Sequence, residues 1–276
     1  MQFIILFCIS HKFSFFVSLR LCGLIFFIFF TMSENKILFI SDAHLGMNER
    51  EVDKERERKL VRFLRTSLQP GDRLFIVGDL FDFWFEYRTV IPKDYILVLS
   101  CLQELTEDGV RIDYVAGNHD FWAGEFFQKN LGLHFHPEPL RETIGDKTFY
   151  IIHGDGLKKN DRRYRFLKRV FRSRLNIFLY RWLHPDLGVR FARWCSGSSR
   201  KYTENRDFGG EDEYISFAEK LFSGGVDHVI MAHTHRPFEH KTGSGKTLIN
   251  LGDWINHYTY AQFHNNTLTL ETYKSE

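Results

Sequence analysis

The chain has 276 residues, of which 43% are hydrophobic and 26% charged, and a formal charge of +2. That length and composition supply one large domain or two small ones with a sizeable core and exclude wholesale disorder; the near-neutral total excludes a surface basic throughout, so no nucleic acid is expected as a partner. Four cysteines without a CxxC spacing exclude a disulfide framework and a thiolate zinc site and fit a reducing compartment, which moves attention to the 13 histidines.

Residues 1–31 contain the apolar stretch Leu21–Phe30, which has the character of a signal h-region or a short anchor. Its charge-free run falls short of the ~20 residues that cross a bilayer, and no A-x-A site follows it. Met32 then opens a polar start, MSENKILFIS. We expect residues 1–31 to be an extension upstream of a start at Met32, with a hydrophobic N-terminal anchor as the alternative. Residues 32–276 are expected to form the folded domain.

From Lys36 onward, strand and helix signals alternate. Lys36–Ser41 reads as a buried strand, Glu51–Leu68 as an amphipathic helix stopped by Pro70 and Gly71, and Arg73–Val77 as the next strand. Asp94–Glu107 reads as a helix and Arg111–Val115 as a third strand. Thr148–Ile152, Asp227–Ala232, Thr247–Leu251, Tyr258–His264 and Thr267–Tyr273 are strand-like in their β-branched and aromatic content, the last two joined by a turn at Asn265-Asn266.

One stretch departs in charge. Between Gly156 and Arg206 fifteen Lys and Arg face three acids, a local charge of +12 that leaves the rest of the chain at −10. Phe166, Leu167, Val170, Phe171, Leu175, Phe178 and Trp182 give the same stretch an apolar helical face. We read residues 157–208 or so as an inserted basic helical cap, suited to an anionic substrate or an anionic membrane surface; the bland reading is a solvated helix face over ordinary core contacts.

The polar signatures sit where strands end. KILFIS runs into Asp42-Ala43-His44, RLFIV into Gly78-Asp79-Leu80-Phe81-Asp82, and IDYVA into Gly117-Asn118-His119-Asp120. FYII runs into His153-Gly154-Asp155, and HVIMA into His233-Thr234-His235. Ligands of open α/β sheets bind beyond the carboxyl ends of strands, and residues i and i+2 of extended chain face the same way. Asp42, His44, Asp79, Asn118, His153, His233 and His235 therefore make one inventory of nitrogen and oxygen donors. It is too large for one tetrahedral zinc and suits two ions sharing a carboxylate, with Asp79 as the bridge. The donor set favours Mn²⁺, Fe or Zn²⁺, and Mn²⁺ is the expected cofactor.

The order D-x-H, G-D-x-x-D, G-N-H-D, H, H-x-H at these positions resembles the calcineurin-like metallophosphoesterase superfamily. The resemblance implies an α/β fold built as a four-layer α/β/β/α sandwich. It implies one metal on Asp42, His44, Asp79 and His235, and a second on Asp79, Asn118, His153 and His233. Within that superfamily, GDLFDFWFEYRTVIP (78–92), HGDGL (153–157), AHTHRP (232–237) and NLGDW (250–254) resemble the UDP-2,3-diacylglucosamine hydrolases of lipid A biosynthesis. That implies cleavage of the pyrophosphate of an acylated UDP-sugar into the lipid 1-phosphate and UMP, at the cytoplasmic face of the inner membrane. Two positions depart: Ala232 stands where a glycine usually precedes the last H-x-H, a small change, and His119 stands where the best-known branch has Arg, His being the general phosphoesterase residue there.

His119 is the expected acid or charge stabiliser, with Asp120 orienting its ring. Asp82 is expected to accept a hydrogen bond from a ligand rather than hold metal. Lys158, Lys159, Arg162 and Arg163 follow His153 and are the candidates for diphosphate contact. Asp253 points to the cleft or caps a turn, and Trp84 and Phe85 line an acyl groove or pack beneath the site. The competing functions are a soluble metallophosphoesterase acting on another nucleotide diphosphate or phosphodiester, and a non-enzymatic metal-binding scaffold. The oligomeric state has no signal in the sequence.

Overall fold

A computed structural model describes residues 7–9, 12–21, 24–31, 35–157, 162–192 and 211–274. The chain divides into two compact units, Met1–Asn35 and Lys36–Glu276. In the first unit β1 (Phe7–Ile9), β2 (Lys12–Leu21) and β3 (Leu24–Thr31) pair antiparallel in that order. Among the described residues no helix is long and apolar enough to cross a membrane.

The second unit holds two sheets. The first is built on β4 (Ile37–Ile40), β5 (Arg73–Val77), β6 (Arg111–Val115) and β7 (His134–His136), all parallel. The second is built on β9 (Lys147–Ile151), β10 (His228–Met231) and β12 (Thr247–Asn250), also parallel, with β8 (Leu140–Ile144) and β11 (Phe238–Lys241) antiparallel at its two edges. β13 (Thr259–His264) and β14 (Thr267–Thr272) extend the first sheet past β4 as an antiparallel hairpin. Its turn residues Asn265 and Asn266 take φ of 50° and 57°, the left-handed pair a type I′ turn requires.

Strands covered on both faces read as continuous apolar runs rather than alternating ones. In β4, Ile37 and Phe39 face the second sheet while Leu38 and Ile40 face the helices; Phe75 and Val77 of β5 face inward, and Leu74 and Ile76 outward. Phe39 stacks on Phe75 at 5.0 Å and reaches across the interface to Phe149 at 5.9 Å. Outside the first sheet lie α1 (Arg50–Ser67), α2 (Ile96–Glu107) and α3 (Phe126–Leu131), which bury Leu60, Phe63, Leu64, Val98, Leu102 and Phe127. Outside the second lies α7 (Glu211–Ser223), which buries Tyr214, Ala218 and Phe222 against Val229, Met231 and Leu248. The α/β/β/α order of layers is thus set by which residues of each strand are apolar on which face.

Between β9 and α7, α4 (Arg162–Phe171), α5 (Arg174–Tyr180) and α6 (residues 185–192) form a helical segment within the expected basic stretch. Residues 158–161 and 193–210 of that stretch lie outside the described residues. Trp122 Nε1 donates to the carbonyl of Phe171 at 2.9 Å, and Phe83, Phe85 and Trp122 pack on Tyr180. The apolar face does not become core: Phe166, Leu175, Phe178 and Trp182 are exposed, Trp182 by 78%.

Removing the ring at the centre of the inter-sheet layer has a predictable cost. Phe39→Ala should lower unfolding stability by about 3–5 kcal/mol, read as a shift in the urea midpoint at unchanged slope; a shift below a third of that would contradict the packing described.

Candidate metal centre

β4, β5 and β6 pair in register, Ile40 against Ile76 and Val77 against Val115, so their carboxyl ends lie level. Beyond those ends the chain turns at once. Asp42 N donates to Gly78 O at 3.2 Å, His44 N to Asp79 O at 3.0 Å, and Ala232 N to His153 O at 3.0 Å. The sheets are tied across their ends by Asp42, whose carbonyl accepts from Trp254 N at 3.0 Å and whose carboxylate accepts from His233 N at 3.1 Å. Asp42, His44, Asp79, His233 and His235 all carry positive φ, between 42° and 71°. A left-handed backbone at a non-glycine residue costs energy and persists only where the surroundings fix it. The two loops approach so closely that a β-carbon on Gly78 would lie 2.6 Å from the Cα of Gly117, and one on Gly117 would overlap the Asp79 carboxylate.

Side chains gather there in three groups with metal-binding reach: Asp42 with His44 and His235, Asp79 with His153 and His233, and His44 again with Asp82 and His119. In the first, Asp42 Oδ1 lies 3.5 Å from His44 Nε2 and 3.4 Å from His235 Nε2. In the second, Asp79 Oδ2 lies 3.2 Å from His153 Nε2, and Asn118 Oδ1 lies 3.1 Å from that same nitrogen. Asp79 Oδ2 is also 3.7 Å from His44 Nε2, so its carboxylate stands between the groups. Asp42 Oδ1 and both ring nitrogens of His44 are buried with no hydrogen-bond partner. Buried polar atoms are normally satisfied, and Asp42 Oδ1 with His44 Nε2 beside it is a donor pair that a divalent cation supplies a partner for. The residues present fit such an ion.

A second ring of groups sets the imidazoles. His153 donates from Nδ1 to the carbonyl of Val77 at 2.9 Å, which leaves Nε2 toward Asp79. His44 Nδ1 faces Asp82 Oδ1 at 3.5 Å, and His235 Nδ1 faces Asp253 Oδ2 at 3.8 Å. Asp253 itself is fixed by the backbone N–H groups of Ile255, Asn256 and His257, so it both holds its turn and faces the cleft. His119 donates from Nδ1 to the carbonyl of Asp82 at 2.7 Å, and its Nε2 lies 4.0 Å from Asp79 Oδ2.

The charges are interlocked. Burial on its own would raise Asp42 and Asp79; His235 and His44 bring Asp42 down to about 2, and His153 and His119 hold Asp79 well below the usual carboxylate range. Burial would lower His44 and His153, yet Asp42 and Asp82 raise the first to about 10, and Asp79 raises the second to about 10. His233 is pushed down to about 4 by burial, with His153 adding to it. Without metal, protons on two imidazoles balance the buried carboxylates, and a cation binding there takes their place.

Asp120 does not orient His119. Its Oδ1 accepts from Gly117 N at 2.8 Å, and its Oδ2 from Leu80 N at 3.0 Å and from the Tyr114 hydroxyl. Burial, and then Asp79, push its carboxyl up to about 7. It therefore pins the Asp79 loop to the Asn118 loop, and the ring-fixing role falls to the backbone of Asp82, which no side-chain pattern signals. Trp84 is fully buried against Phe81 and Phe127, and Phe85 is buried and packs on Tyr180 of α5. Arg162 and Arg163 lie on α4, and Lys158 and Lys159 fall outside the described residues. Sequence reading gave no role to Asp155, two residues after His153, which pairs with Lys168 Nζ at 2.6 Å.

Asp79→Ala removes the carboxylate that stands between the group of Asp42, His44 and His235 and the group of His153 and His233. It should abolish uptake of both equivalents of Mn²⁺ in equilibrium dialysis; retention of two tightly held ions would contradict the shared role.

The family described as Calcineurin-like phosphoesterase matches residues 35–237. A UDP-2,3-diacylglucosamine hydrolase of Porphyromonas gingivalis (strain ATCC BAA-308 / W83) is 33% identical over 255 residues, covering 86% of this chain and 97% of that one. Another of the same description, from Neisseria meningitidis serogroup B (strain ATCC BAA-335 / MC58), is 34% identical over 230 residues, covering 80% and 90%. A solved archaeal phosphodiesterase is 14% identical with a TM-score of 0.43, covering 86% of this chain and 98% of its own.

Proposed function

We propose that this chain, which belongs to the calcineurin-like phosphoesterase family, hydrolyses the pyrophosphate bond of UDP-2,3-diacylglucosamine to 2,3-diacylglucosamine 1-phosphate and UMP in lipid A biosynthesis. The observation that carries the reading is one cleft in which overlapping groups of metal-ligand side chains adjoin a basic cavity. That cavity, about 560 Å³, is lined by His153, Asp155, Arg165, Lys168, Arg169 and Arg172 among others. Likeness to hydrolases of that substrate along nearly their whole length supports the choice of substrate.

Asp42, His44, Asp79 and His235 would hold one divalent ion and Asp79, Asn118, His153 and His233 the other, Mn²⁺ before Fe or Zn²⁺ on the chemistry of the donors. Such ions polarise phosphoryl oxygens and lower the pKa of a bound water. The chain's own residues do the rest. Arg165, Arg169 and Arg172 draw the diphosphate to the edge of the centre. His119, held through Nδ1 by the Asp82 carbonyl, keeps Nε2 toward the cleft, where it serves charge developing on the leaving oxygen. Asp120 keeps the two loops beneath it in register.

The helical segment supplies the lipid side of the reading as the basic cap over the cleft. Phe166, Leu175, Phe178 and Trp182 present apolar surface beside the Lys and Arg of α4 and α5. Exposed aromatic and aliphatic side chains among cations suit two acyl chains and the headgroup layer of an anionic leaflet. The protein would act as a peripheral enzyme at the cytoplasmic face of the inner membrane.

Purified protein with Mn²⁺ should hydrolyse UDP-2,3-diacylglucosamine in preference to a water-soluble UDP-sugar or a nitrophenyl phosphodiester; robust turnover of the soluble compounds alone would replace this reading with a general phosphoesterase. His119→Ala should retain both ions while losing ~10²–10⁴-fold in kcat, and an unchanged rate would remove its role. Replacing Arg162, Arg163 and Arg165 by Glu should reduce sedimentation with phosphatidylglycerol vesicles, most visibly at low salt. Undiminished sedimentation would sink the membrane attachment.

A further inference from the structure

α1 turns its first two turns toward the loop that carries two candidate ligands, and it does so with a charge. Arg56 is 6% exposed. A guanidinium buried beside the likewise buried Glu57, in a helix whose other buried residues are apolar, is costly unless its donors are used. Its Nη1 donates to the carbonyl of Ala43 at 3.3 Å and to that of His44 at 3.4 Å, and pairs with Asp53 Oδ1 at 3.3 Å. The other oxygen of Asp53 accepts from Asn48 N at 3.0 Å, so α1 grips the loop 43–48 near both ends.

The two carbonyls are not arbitrary. The Ala43 carbonyl belongs to the peptide plane before His44, and the His44 carbonyl to the plane after it. Holding both fixes φ and ψ of His44 together. That residue sits at φ +42°, next but one to Asp42 at +51°, in a conformation a non-glycine residue leaves when nothing restrains it. Asp42 and His44 are two of the three members of one ligand group, His44 also falls in a group with Asp82 and His119, and neither belongs to the group of Asp79, His153 and His233.

We propose that Arg56 is a positioning residue that locks the backbone of His44, and thereby sets the ion site of Asp42, His44 and His235 without affecting its neighbour. This rests on reading the cleft as a two-ion centre. Lys is the conservative comparison: all three contacts run from the one nitrogen Nη1, and an ammonium keeps the charge but not the planar guanidinium that fixes where its donors point.

Arg56→Met and Arg56→Lys are compared with the parent protein by Mn²⁺ titration calorimetry and by amide hydrogen exchange of metal-free protein over residues 42–46. One of the two ions should weaken at least tenfold in Arg56→Met and by a smaller factor in Arg56→Lys, while the other stays within twofold. Exchange over 42–46 should quicken at least tenfold, with 117–120 unchanged. Should the Met variant fail to fold, the Lys variant carries the test. Parent-like exchange and parent-like affinity for both ions would overturn the inference, as would equal weakening of both ions, which a merely structural role predicts. A parent protein that takes up fewer than two ions contradicts the two-ion reading instead, and the exchange over 42–46 then decides the inference alone.

Discussion

Carboxylates and imidazoles are buried here at the ends of parallel strands, on backbone that five of these residues hold at positive φ. Each such residue costs about 1–3 kcal/mol, and each buried charge costs more unless it is matched. The arrangement persists because the strands beneath it are rigid. Phe39, Phe75 and Phe149 lock one sheet to the other, and strands paired in register deliver every turn at the same height. Close contact between Gly78 and Gly117 then brings Asp79 against the Gly117–His119 turn, where His119 N donates to its carboxylate, and any larger residue at either glycine would prevent this. What the sandwich stabilises, the cleft spends as strain and unbalanced charge.

That coupling explains why a ligand cannot be understood apart from its loop. Asp42 is both a candidate ligand and the acceptor that ties the β10 and β12 loops to β4. Asp120 accepts from the backbone of Leu80 and Gly117 and from Tyr114, and so fixes the relative position of two ligand-bearing loops. Asp82 faces His44 through its carboxylate and His119 through its carbonyl. The polar network is dense because each group has two duties.

Much of this was legible in the residues. Parallel strands buried on both faces announce themselves as apolar runs, and the polar residues where those runs stop marked the cleft. The elements that escaped notice are those with a weaker pattern. β7 has three residues, and β8 and β11 are edge strands that alternate polar and apolar side chains. α7, with its acidic first turn and apolar Tyr214, Ala218 and Phe222, did carry a readable helical period and lay just past the basic stretch. Asp120 was paired with the wrong partner because adjacency in sequence suggested His119, whereas the turn sends its carboxylate back to Tyr114, Gly117 and Leu80. The apolar positions of α4 and α5 were legible as a stripe, but a stripe does not say what covers it, and here much of it faces outward.

The most direct measurement is an anomalous difference map from crystals grown with Mn²⁺ and collected at the manganese edge. Two peaks are predicted, one bounded by Asp42, His44 and His235 and one by Asp79, His153 and His233, with density for Asp79 reaching both. A single peak elsewhere, or none after soaking at saturating metal, would contradict the account.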